Sequence, residues 1–94
     1  MHNSKYLKRW ELTEDGNIIA PDLYCYYELQ NIDNQVVAEI YHYSFGSWQG
    51  TFFPPFPISK TLYKEYFDDL KYSMNQILIN HGFIFLSDKE LLLI

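Results

Sequence analysis

The sequence predicts an α+β domain: an antiparallel meander sheet of four strands, or five if a short one is added near the end, packed on one long C-terminal helix. Three observations carry that expectation. Two runs, 23–30 and 35–45, alternate side chains with the period of two that marks strands, and Asn31-Ile32-Asp33-Asn34 between them has turn chemistry. Asp15-Gly16 is the dipeptide that a tight hairpin favours. Residues 61–81 then switch to the three–four spacing of an amphipathic helix.

In chain order, residues 6–13 alternate well enough for a first strand. A two-residue Asp15-Gly16 loop would set Leu12 against Ile19 and bring Trp10 toward Pro21, which lacks an amide donor and marks a bulge, an edge or a break. In the second hairpin, a two-residue loop would place Glu28 opposite Glu39, whereas a four-residue loop places Glu28 opposite Val37 and avoids opposing like charges. The four-residue loop is therefore expected. Either register yields the same faces by parity. Leu23, Cys25, Tyr27, Leu29, Val36, Ala38, Ile40 and His42 share one side; Tyr24, Tyr26, Tyr41 and Tyr43, edged by Glu28 and Glu39, share the other.

Gly46-Ser47 offers the next turn, and 48–53 reads as a fourth strand with Gly50 as a bulge or a point of close approach. Pro54-Pro55-Phe56-Pro57 can join neither a ladder nor a helix interior, so it reads as an extended connector. Ser59 or Thr61 can cap a helix running to His81, with Gly82 where a left-handed residue ends it. Its buried stripe is expected to hold Tyr63, Tyr66, Phe67, Leu70, Met74, Ile77, Leu78 and His81. Residues 83–86 suit a short final strand, and Ser87-Asp88-Lys89-Glu90 matches a capping box before the apolar Leu91-Leu92-Leu93-Ile94. That tail is expected to fold back, to self-associate or to receive a partner.

Ninety-four residues suit a single domain spanning 1–94. One cysteine rules out an intrachain disulfide and points to a reducing compartment; without a signal-peptide core or a membrane-length apolar run, a cytoplasmic protein is expected. Twelve acidic against seven basic residues give a net charge of −5, which opposes phosphate-backbone binding. The one gathering of cations, Lys5, Lys8 and Arg9 beside Tyr6 and Trp10, reads as a solubilising edge rather than a nucleic-acid contact.

Chemistry-bearing patterns are sparse. Cys25 and His42 fall on one face of neighbouring strands, the minimum for a thiol and its base, yet no third group orients the histidine, and core packing is the better account. His2, His42 and His81 lack metal-ligand spacing, so no metal and no cofactor is expected; His81, in a last helical turn, suits a contact with the carbonyl end. Asp68 and Asp69 point apart on a helix and read as a solvated face.

The aromatic residues are the main signal. Eighteen of 94 are aromatic (nine Tyr, seven Phe, two Trp), and ten lie between Tyr24 and Phe56. Aliphatic residues pack a helix better than hydroxyl-bearing rings, so the tyrosine side should be left uncovered. Tyr24, Tyr26, Glu28, Glu39, Tyr41 and Tyr43 are then the expected contact residues for a partner protein with a basic surface. The expected function is non-catalytic, stoichiometric inhibition by occlusion. In size, acidity and lack of catalytic groups the chain resembles the small inhibitors made by bacteria and phages, such as toxin-immunity and anti-defence proteins, a likeness of composition and not of motif. A homo-oligomeric accessory subunit is the alternative, and a small Cys25/His42 enzyme the third reading.

Overall fold

The computed structural model describes residues 3–13, 23–43 and 46–93. In chain order they form a 3₁₀ turn (Asn3–Lys5), β1 (Tyr6–Leu12), β2 (Leu23–Asn31), β3 (Val36–Tyr43), β4 (Trp48–Phe52), β5 (Thr61–Lys64), α1 (Phe67–Asn80), β6 (Ile84–Phe85) and α2 (Asp88–Leu91). The strands make one sheet in the order β5-β4-β3-β2-β1-β6. All neighbours are antiparallel except β1 and β6, and α1 packs on one side.

The α+β class and the antiparallel meander stand, but the sheet has six strands and the helix is shorter than its spacing suggests. Thr61-Leu62-Tyr63-Lys64 forms β5 because it alternates: Leu62 packs against the core, whereas Tyr63 is 61% exposed. The stripe also overreached at Tyr66, which is 63% exposed at the N-cap of α1 and offers no side-chain cap; neither Ser59 nor Thr61 begins the helix. Asp68 and Asp69 lie in the first turn, where the helix dipole favours acids. Leu70, Met74 and Leu78 are fully buried, with Phe67 and Ile77 packed beside them.

Close seating of α1 on the sheet depends on Gly50, where a β-carbon would collide with the Met74 thioether and crowd Leu70. At its other end, Gly82 takes φ +86°, donating its N–H to Ile79 O at 3.0 Å, while Phe83 N donates to Leu78 O at 3.0 Å. This is a Schellman ending, with Leu78 and Phe83 both buried. His81 Nδ1 donates to Ile77 O at 2.8 Å, and Lys5 Nζ donates to His81 O at 3.0 Å. The chain then returns as β6, and Ser87 caps α2 in a reciprocal box with Glu90; the hydrogen bonds from Ser87 hold the Glu90 carboxyl below its usual value. The proline connector bends so that Phe56 is buried, stacked on Phe52 with ring centres 4.4 Å apart.

The registers correct three expectations. β1 pairs with β2, setting Trp10 against Leu29 and Leu12 against Tyr27; the expected Leu12–Ile19 pair, the Asp15-Gly16 loop and Pro21 fall outside the described residues, and the corrections come from the β2–β3 pairing. Glu28 stands opposite Glu39 and not Val37, because the turn closes on Asn31 and Gln35 with three residues between them instead of four, and β3 absorbs one extra residue between Val36 and Ala38. At such a bulge two consecutive residues oppose one, so parity fails there: Val37 is fully buried and Val36 only half-buried. The turn is fixed by Asn31, fully buried, whose Oδ1 accepts the N–H groups of Asp33 and Gln35 at 3.0 Å each. A second extra residue, Tyr24 in β2, sets Leu23 opposite Tyr43, so the alternation that grouped Tyr24 with Tyr26 breaks at that point. Among the described residues no helix is long and apolar enough to cross a membrane.

Candidate functional site

Tyr27 identifies the covered side of the sheet: its ring lies 4.7 Å from Phe67 of α1, and Trp48 lies 5.0 Å from the same ring. Alternation from these residues sends Tyr26, Glu28, Glu39, Tyr41, Gln49 and Thr51 to the other side. Two cross-strand rows result. One runs Glu11, Glu28, Glu39, Thr51, Thr61 across β1 to β5; the neighbouring row runs Tyr26, Tyr41, Gln49, Tyr63 across β2 to β5. With strands about 4.8 Å apart, the three carboxylates span about 10 Å.

Of the six expected contact residues, Tyr26 and Tyr41 face each other as one pair, and Glu28 and Glu39 form the adjacent pair. All four are half-buried. The side chains of Tyr24 and Tyr43 lie outside the described residues. Five members of the rows escaped the sequence reading: Glu11, Gln49, Thr51, Thr61 and Tyr63. Glu11 joins the row through the β1–β2 pairing, for which a ten-residue separation leaves no local signal; Gln49 and Thr51 are polar alternates whose partners only the sheet order reveals, and Thr61 and Tyr63 fit a helical reading until their pairing with β4 is seen.

The row is not neutralised from within. Lys8 Nζ donates to Asn34 Oδ1, Arg9 pairs with Asp88 at 3.2 Å, and no ion pair joins Glu11, Glu28 or Glu39 to a cation among the described residues. Glu28 Oε1 accepts Gln30 Nε2 at 2.9 Å. Burial pushes the Glu39 carboxyl above its ordinary value. At the β1 end a cleft of about 180 Å³ is lined by Lys8, Arg9, Glu11, Glu28 and Gln30. The described helix at this end is α2, reached through Arg9–Asp88; α1 lies on the opposite side.

Cys25 and His42 are Cα partners across β2 and β3, with the Cys25 side chain outside the described residues, and the His42 ring lies tilted against Trp48 at 4.6 Å. The cation gathering at the N-terminus is divided among separate contacts: Lys5 to the end of α1, Lys8 to the β2–β3 turn, Arg9 to α2. Leu92 and Leu93 are 85% and 82% exposed. Comparison of the chain with protein-family models, with curated proteins and with solved structures finds no match in any of the three.

Proposed function

We propose that this chain is a non-catalytic protein-binding module that forms a stoichiometric complex through the side of the sheet α1 leaves open, and that it inhibits by covering a basic surface of its partner. The single observation that carries the reading is the in-register carboxylate row Glu11–Glu28–Glu39 lying against the Tyr26–Tyr41 pair. Phenol rings supply contact area and ring faces for cations at low entropic cost, while adjacent carboxylates match the fork of an arginine. A second copy is a poor occupant of this face, since self-docking sets one carboxylate row against another. A basic protein surface relieves the same repulsion.

The test is affinity capture from the source cell with the immobilised chain, followed by titration calorimetry on the purified captured protein. A one-to-one complex with a basic protein, weakened by added salt and lost in both Tyr26→Ser/Tyr41→Ser and Glu28→Gln/Glu39→Gln, is the expected outcome. Unchanged binding by both folded variants removes this face as the site. A tight homodimer in light scattering, disrupted by the tyrosine substitutions, transfers the face to self-assembly.

A further inference from the structure

We propose that the open edge of β5 is a second docking site, which accepts an extended acidic segment of a partner protein as a seventh strand. The proposal rests on backbone geometry and on lysine placement, and is independent of the sheet-face reading above. Phe52 N donates to Lys60 O at 3.3 Å, and on the other side of β4 Phe53 N donates to Val37 O at 2.8 Å. By the alternation of an antiparallel ladder, residues 60, 62 and 64 turn their backbone groups toward β4. The N–H and C=O of Thr61 and Tyr63 are therefore directed away from the sheet, at its terminal strand. Both residues are exposed.

An antiparallel strand added here makes its hydrogen-bonded pairs at Thr61 and Tyr63. Its side chains opposite Lys60, Leu62 and Lys64 then occupy the non-hydrogen-bonded pairs, where side chains of the two strands come closest. Lys60 and Lys64 are exposed, and neither makes an ion pair among the described residues; Leu62 between them packs against the core. The edge thus reads cation, apolar, cation, and its complement is acid, apolar, acid at alternate positions.

A second copy of β5 does not meet that pattern. Antiparallel self-pairing must keep each face with its like. Centred on Leu62 it sets Lys60 against Lys64 twice; centred on Tyr63 it sets Lys64 against Leu62 and Lys60 against Tyr66; centred on Thr61 it sets Lys60 against Leu62 and Lys64 against Ile58. No register offers either lysine an acid. Lysines on an edge discourage such pairing, and here they also specify what can replace it.

The probe is the synthetic heptapeptide acetyl-Val-Glu-Thr-Leu-Thr-Glu-Val-amide, followed by amide NMR on the full chain. Expected are shifts and slowed exchange at Thr61 and Tyr63, with binding weakened roughly tenfold or more when both glutamates of the peptide are lysines. Lys60→Glu/Lys64→Glu should reverse that preference. Tyr63→Pro should fold, because its N–H has no partner in the sheet, and should no longer bind. Tyr26→Ser/Tyr41→Ser should bind the heptapeptide unchanged, so failure of the sheet-face reading leaves this result standing. Absence of shifts at Thr61 and Tyr63 overturns the proposal, as does equal binding of the acidic and basic peptides, or a peptide-free dimer that Tyr63→Pro converts to monomer.

Discussion

A half-buried carboxylate in the middle of a sheet, with a second carboxylate directly across from it, is held against two penalties: lost hydration and like-charge opposition. Glu39 is that residue, and its raised protonation equilibrium has a definite sign. The folded chain holds the proton more tightly than the unfolded chain, whose value is near 4.5. Stability is therefore greatest below that value and is lost as pH rises through the folded-state value. Glu39→Gln should raise the midpoint of thermal unfolding at pH 7 and flatten its fall between pH 4.5 and neutrality, as read from melts across that window. A stabilised variant that also binds its partner less well would show a residue retained for contact at the expense of the fold, a combination that a purely structural Glu39 would not give.

Among the elements, the seating of α1 on β4 is a close joint, because Gly50 leaves room for Met74 that a residue with a β-carbon would fill. Gly50→Ala should cost about 1–3 kcal/mol in urea unfolding, the range for overpacking a filled site, and Gly50→Ala combined with Met74→Ala should cost less than the sum of the two single changes. How far the elements could be read from the sequence follows the same physics. Helix end, capping box and the parity of Tyr26 with Glu28 are local signals and were legible, whereas the proline connector, expected extended, turns back with Phe56 N donating to Phe53 O. β5 was not, since Tyr63, Tyr66 and Phe67 satisfy a helical spacing by coincidence, and only the pairing of Gly50 with Leu62 shows that the first of them belongs to a strand. The bulges at Val37 and Tyr24 were also invisible: nothing in the local sequence marks the extra residue at which face parity breaks, and only the pairing with the neighbouring strand reveals it. Sequence parity thus found Tyr26, Glu28, Glu39 and Tyr41, while Glu11 joined them through strand order alone.

At the scale of the whole molecule, a net charge of −5 attracts any cationic partner from all sides, so long-range steering cannot by itself distinguish the sheet face from the rest of the surface. The distinction lies in where the charge is fixed. Glu11, Glu28 and Glu39 sit on adjacent strands of a rigid sheet, whereas Glu65, Asp68 and Asp69 are exposed near the start of α1, on the element packed against the other side. Removing three charges from either group changes the net charge equally. If steering by net charge were the whole effect, Glu11→Gln/Glu28→Gln/Glu39→Gln and Glu65→Gln/Asp68→Asn/Asp69→Asn would slow association with the captured partner to the same degree. The geometry predicts an unequal result. The first triple should also speed dissociation, raising the dissociation constant by roughly a hundredfold or more as several charge-assisted contacts are lost, while the second changes the association rate by no more than about threefold and leaves dissociation unchanged. Surface-plasmon kinetics at two salt concentrations separate the two terms, and equal rate constants for the two triples would return the carboxylate row to the status of ordinary surface charge.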